Sequence, residues 1–184
     1  LYRWDALEIR NFDWWVQRIR RAHQLYDIVR LDHFRGFEAY WSIPAEEETA
    51  VNGGWVKAPG LKLFRALEEA LGPLPLVAED LGLITPEVDA LRMECGMPGM
   101  KVIQFGFGDK SAHNHLPHEY TPGTVVYTGT HDNDTTQGWW DSAGKNARGE
   151  VEAYVGPVGE RPVWPLIRAT AASVAEMTIV PVQD

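Results

Sequence analysis

Short apolar runs alternate with longer segments of helical periodicity along this chain, and that alternation narrows the folds open to it. The runs are 27–32, 74–79, 101–107, 124–128 and 179–182. They are rich in Val, Leu and Ile and apolar in both residue parities, as strands covered on both faces are. Between them, Phe12, Trp15, Val16, Ile19, His23 and Tyr26 recur at steps of three and four. This spacing predicts a helix over 11–26, with Asn11 as N-cap and Asp13 in the first turn. A second helix is expected over 61–71, stopped by Gly72-Pro73. Thr85-Pro86-Glu87 carries the start signals of a third, running to Glu94. The Ala-rich stretch 163–177 reads as a fourth, and 42–60 reads as a long irregular segment. The order points to an α/β fold with a parallel sheet, and no linker divides the chain.

Composition excludes several classes. The 184 residues hold 26 acidic and 17 basic side chains, a formal net charge of −9. Such a balance argues against nonspecific nucleic-acid binding, which needs an excess of Lys and Arg. Cys95 has no partner for a disulfide. No apolar run approaches the roughly 18 residues of a membrane span, and no signal peptide opens the chain. Neither nucleic acid nor membrane is an expected partner, and a cytoplasmic location is expected, or a plastid if the source is a plant. The chain opens on Leu1 and stops within an apolar run, 178–184, so it reads as a piece cut from a longer one.

In parallel α/β folds, ligand sites form at the carboxyl ends of strands. Three of the runs end in acid: at Asp32, at Glu79-Asp80, and in the segment His131-Asp132-Asn133-Asp134 after the fourth run. Arg30 and Asp32 share one strand face, where a guanidinium beside a carboxylate favours its ionised form. One such ending is equally well a structural ion pair, but three favour a shared acidic cleft. Acidic clefts serve either hard-cation binding or glycoside chemistry. Eight Trp residues favour sugars, whose apolar ring faces pack on aromatic faces. Trp41, Trp139 and Trp140 follow acidic strand ends, whereas Trp14 and Trp15 lie on the first helix as packing residues. His113, His115 and His118 do not match zinc spacings and sit around Pro117, so no metal is expected. Asp132-Asn133-Asp134 lacks the Gly and Glu of a calcium loop. No organic cofactor is implied.

The segments 30–45, 78–86, 98–105 and 127–136 resemble, in order, conserved blocks of the 4-α-glucanotransferases, the amylomaltase or disproportionating-enzyme family (glycoside hydrolase family 77). The resemblance covers nearly the whole chain. It implies a (β/α)8 TIM barrel of the α-amylase superfamily, present as a partial barrel from about the fourth to the eighth strand. Residues 1–184 would then be the C-terminal portion of the catalytic barrel, without its amino-terminal strands and insertions. It implies retaining transfer of a 1,4-α-D-glucan segment to the 4-hydroxyl of glucose or another glucan. By the same resemblance Asp32 is the nucleophile, Glu79 the general acid and base, and Asp132 the transition-state stabiliser. Arg30, His131 and Phe105 bind substrate. The implied partners are α-1,4-glucans and a glucose acceptor. The chain departs from the family pattern at Gly54 and Ala58, in a loop away from the three carboxylates. The same acids would also suit an α-glucan hydrolase, and they could persist in a non-catalytic glucan-binding fragment.

Five strands cut from an eight-stranded barrel would leave apolar edges unpaired. The 184 residues expressed alone are therefore expected to associate or precipitate. A clean monomer with a sharp cooperative melt in light scattering and calorimetry would contradict this.

Overall fold

The computed structural model describes residues 1–184. It comprises two compact units, Leu1–Pro98 and Gly99–Asp184. The first contains α1 (Trp4–Ile9), α2 (Asp13–His23), β1 (Val29–Leu31), β2 (Ala39–Ser42), β3 (Gly54–Lys57), α3 (Gly60–Leu71), β4 (Leu76–Ala78) and α4 (Pro86–Glu94). The second contains β5 (Gly99–Val102), β6 (Thr124–Tyr127), α5 (Thr136–Ser142), α6 (Lys145–Val155), α7 (Val163–Ala171) and β7 (Met177–Ile179). Parallel pairing occurs in both. In the first unit β1 runs beside β4 in the register Val29–Leu76, Arg30–Val77 and Leu31–Ala78. In the second, β6 lies between β5 and β7, parallel to each. The chain is thus an α/β protein whose parallel strands form one two-stranded and one three-stranded piece.

The first expected helix is shorter than 11–26. Asn11 and Phe12 both take positive φ, at 48° and 54°, so the backbone turns tightly between α1 and α2. Phe12, not Asn11, occupies the N-cap position, and no side chain caps the helix there. Burial of the Phe12 ring holds this strained turn in place. At the other end α2 stops at His23, which leaves Tyr26 in an exposed turn. The segment 42–60 is not irregular: β2 and β3 form an antiparallel hairpin that pairs Trp41 with Trp55. All four β3 residues are exposed, so this strand carries no burial alternation for a pattern reading to find. The third run stops as a strand at Val102 and continues as a 3₁₀ turn over Ile103–Gly106. Helices α5 and α6 were not anticipated: their Gly, Asn and Ser content hides them.

Helix α3 shows how the core is built. Leu63, Phe64 and Leu67 fall on one stripe and are buried, while Lys62, Arg65, Glu68 and Glu69 stay outside it. The helix ends where Gly72 takes φ +79° and returns its N–H to the Glu68 carbonyl at 2.8 Å. Phe64 stacks on Phe34, with ring centroids 5.7 Å apart, and Phe37 and Trp15 close the cluster. Phe34 is fully buried and lies two residues after Asp32. Its anchorage therefore supports the turn that follows β1. Phe34→Ala is expected to cost about 3–5 kcal/mol of stability, measured as a lowered midpoint in urea unfolding.

Candidate active site

The parallel register of β1 and β4 determines which side chains meet. Leu31 is buried, so its neighbours Arg30 and Asp32 emerge on the opposite face. Arg30 Nη2 donates to Asp32 Oδ1 at 2.8 Å. The Asp32 side chain is 73% exposed, which leaves it open to a ligand. Beyond the strand the backbone turns at His33, a non-glycine residue with φ 49°. That left-handed turn aims the His33 N–H at Glu79 Oε2, 2.8 Å away. The pairing extends past the strands. The Glu79 N–H donates to the Leu31 carbonyl at 2.9 Å, and the Phe34 N–H donates to the Glu79 carbonyl at 3.0 Å. Glu79 Oε1 accepts the Leu81 N–H at 2.9 Å. Arg30, Asp32 and Glu79 are therefore gathered at adjoining carboxyl ends of two paired strands.

Asp80 plays a different part. Its carboxylate is nearly buried, with Arg92 Nε of α4 3.1 Å from Oδ2. Arg92 also donates to the Met97 carbonyl at 2.9 Å. Of the two consecutive acids, Glu79 faces the Asp32 side and Asp80 ties β4 to α4. Next to Arg30 and Asp32 lies a cavity of about 690 Å³, walled in part by Trp4, Trp15, Phe37 and Tyr40.

The second unit holds the remaining predicted residues. His131 and Asp132 lie in the loop after β6, both largely exposed, with Nε2 and Oδ2 3.3 Å apart. Asn133 Oδ1 shapes this loop by accepting the Thr130 N–H at 2.9 Å and its hydroxyl at 2.8 Å. Phe105 sits in the 3₁₀ turn after β5 rather than at a strand end, and it is 37% exposed. Its ring meets His115 at 5.4 Å in an edge-on contact.

His115 and His118 are engaged by neighbouring groups. His115 Nδ1 accepts the Val102 N–H at 3.1 Å, and His118 Nδ1 lies 2.9 Å from the Tyr154 hydroxyl. No three His, Cys, Asp or Glu side chains are grouped to hold a metal ion. Burial pushes the Cys95 thiol up to about 11, as for an inert structural cysteine. Trp140 is buried in the second core and offers no free face to a sugar, while Trp139 is half-buried beside it. Trp41 and Trp55 remain exposed, packed edge-on at 5.4 Å. The Arg35 guanidinium lies 4.1 Å from the Trp55 ring centroid, and Arg35 also donates to the Leu83 carbonyl. Sequence reasoning missed this cluster because Trp55 fell in the segment read as irregular. It also missed a polar network around Gln104, Thr128, Thr136 and Asp184. The signal there was a Gln embedded in an apolar run and a Thr closing another.

A scaffold of parallel strands with acidic side chains gathered at their carboxyl ends defines an α/β protein of the kind that handles polar ligands at strand ends. Residues 1–184 match the family model described as 4-alpha-glucanotransferase. The chain belongs to this family, glycoside hydrolase family 77. The 4-alpha-glucanotransferase of Thermus thermophilus is 50% identical over 192 residues, covering all of this chain and 38% of the relative. The chloroplastic/amyloplastic 4-alpha-glucanotransferase of Solanum tuberosum is 46% identical, again over the whole chain and 32% of the relative. The chain thus spans about a third to two fifths of the length of these relatives. Among solved structures, the amylomaltase of Streptococcus agalactiae in complex with acarbose superimposes over all of this chain with a TM-score of 0.93 at 38% identity. The match covers 37% of that chain. The amylomaltase of Corynebacterium glutamicum, 16% identical with a TM-score of 0.71, shares the fold.

His115 gives this region a pH dependence. Burial, and secondarily the charge of Lys101, lower its pKa from 6.5 to about 4. Its neutral ring accepts the Val102 N–H, which a protonated ring could not do. The unfolded chain takes up this proton first, so the contribution is complete above about pH 6.5 and is lost as pH falls towards 4. Stability measured by chemical unfolding between pH 7 and 4 is expected to fall by at most about 3 kcal/mol on this account. His115→Gln should flatten that part of the profile.

Proposed function

We propose that this chain is the catalytic segment of a 4-α-glucanotransferase, which moves part of a 1,4-α-D-glucan onto the 4-hydroxyl of glucose or another glucan. The observation that carries this reading is the juxtaposition of Arg30, Asp32 and Glu79 at adjoining strand ends in a chain of this family. The five parallel strands, each preceded or followed by helix, are read as consecutive strands of a (β/α)8 barrel, with residues 1–184 its C-terminal portion. The superposition of all of this chain on 37% of an amylomaltase supports that architecture.

The chemistry follows from the contacts. Asp32, exposed and paired with Arg30, attacks the anomeric carbon while Glu79 protonates the departing glycosidic oxygen. A covalent glycosyl ester forms at Asp32, and the shortened glucan leaves with the proton of Glu79. The acceptor 4-hydroxyl then attacks the same carbon, Glu79 takes its proton, and the Asp32 carboxylate is released with retained configuration. Both Glu79 oxygens accept backbone N–H bonds, which hold the carboxyl in place, and a protonated oxygen keeps a lone pair for its N–H. Asp132 and His131 bond ring hydroxyls, and these bonds strengthen as the ring flattens towards an oxocarbenium ion. Phe105 is read as an exposed ring for sugar stacking. α-1,4-Glucans are the donor class, and glucose serves as an acceptor. The plant relatives carry chloroplastic names, while no helix of this chain is long and apolar enough to cross a membrane. A cytoplasmic or plastid site of action fits both.

Incubation of the full-length protein with maltotriose is expected to give glucose together with a ladder of longer oligomers, resolved by chromatography. Glucose and maltose with nothing longer would assign a hydrolase instead. Asp32→Asn should lower turnover by about 10⁴-fold or more, as loss of a covalent nucleophile does. An unchanged ladder would overturn that role.

A further inference from the structure

We propose that Asp184 is a positioning residue, holding the loop that presents His131 and Asp132. This rests on the transferase reading for what the loop does, but the contacts stand by themselves. The loop leaves β6 through Thr128 and enters α5 at Thr136. Both threonines are fully buried. One carboxylate joins them. Asp184 Oδ2 accepts the Thr128 hydroxyl at 2.6 Å and the Thr136 hydroxyl at 2.7 Å, while Oδ1 accepts the Thr136 N–H at 2.7 Å. The two ends of the loop are thereby fixed to a single side chain.

Gln104 holds the same loop from beneath. Its Nε2 donates to the Asp134 carbonyl at 3.3 Å and lies 3.4 Å from the Thr136 hydroxyl oxygen. A Cβ on Gly129 would come within 2.9 Å of that amide nitrogen, so the loop's first residue is packed against it. Gln104 immediately precedes Phe105, so the network connects the turn bearing Phe105 with the loop bearing Asp132. At the crest, Thr130 and Asn133 bond each other. The His131 and Asp132 side chains project outward, contacting one another. The loop is thus fixed at its entry, exit and middle, and the exposed His131 and Asp132 side chains are left for a substrate. Such support is what holds a reacting group within the fraction of an ångström that catalysis tolerates.

A carboxylate takes the full set in the directions observed. It has only acceptor sites, and here it meets three donors. An Asn keeps one oxygen for the Thr136 N–H but turns its NH₂ on the hydroxyls.

The test uses the full-length protein with Asp184→Ala, Asp184→Asn and Thr136→Val. Turnover on maltotriose is expected to fall about 10–100-fold in Asp184→Ala, with KM within twofold and Asp184→Asn intermediate. Amide hydrogen exchange over 129–135 should quicken at least tenfold while the rest of the second unit is unchanged. With α-maltosyl fluoride as donor, adding Asp184→Ala to Asp132→Asn should cost little more than Asp132→Asn alone, because one acts through the other. A purely structural residue would cost the same factor in both backgrounds, and that result overturns the proposal. So do unchanged turnover and unchanged exchange in the singly substituted proteins. If Asp184→Ala does not fold, Thr136→Val, which removes one hydroxyl donor, decides through the same readouts with an expected loss of at least threefold. If the unsubstituted protein builds no ladder, the transferase reading fails alone, and the exchange measurement still decides whether Asp184 holds the loop.

Discussion

The pairing of β1 with β4 is the interaction on which the first unit depends. Three residues of each strand are in register, and the hydrogen bonding does not stop at the strand ends. It passes through the Glu79 N–H to Leu31, then through the His33 and Phe34 N–H groups back to Glu79. A side-chain oxygen thus completes a backbone ladder. Because successive strand residues alternate faces, this register buries Leu31 and Ala78 while it turns Arg30, Asp32 and Glu79 outward. A slip by one residue would put Leu31 or His33 where Asp32 stands, and Ala78 or Asp80 where Glu79 stands. The aromatic cluster of Phe34, Phe37 and Phe64 packs directly under the turn, so core packing and carboxylate placement stabilise one another.

Acidic residues in this chain divide by the company they keep. Glu79 and Asp80 are adjacent, yet one meets only backbone donors and the other an almost buried guanidinium. Asp132 and Asp184 divide in the same way: one lies at the crest of a loop, and the other, beneath it, accepts three hydrogen bonds. The formal charge of −9 is therefore not spread uniformly in purpose. Some carboxylates replace backbone partners inside the structure, and others remain exposed.

Much of this is legible in the sequence. The parallel strands, the third-helix start at Thr85-Pro86 and the facing of Arg30 with Asp32 all follow from local rules that act over a few residues. The failures are equally physical. Asn11 was read as a cap because its side chain suits one, but burial of Phe12 placed the helix start one residue later. The β2–β3 hairpin escaped because its second strand buries nothing. That Trp140 is buried is not legible either, because sequence shows proximity to an acidic segment and not which way a ring turns. The Asp184 network joins residues 80 positions apart, from Gln104 to the end of the chain, and no local pattern encodes such a contact.

The turn at His33 has a consequence for how this segment can vary. What reaches Glu79 there is a main-chain N–H, which every residue except proline possesses. The requirement at this position is conformational: the backbone must occupy the left-handed region. Gly, Asn and Asp enter that region at little cost, whereas Val, Ile and Thr, crowded at Cβ, do not. Sequence drift at position 33 is therefore filtered by shape before side-chain chemistry is considered. The filter lies one residue from Asp32, so a β-branched replacement would disturb the carboxylate pair without touching either acid.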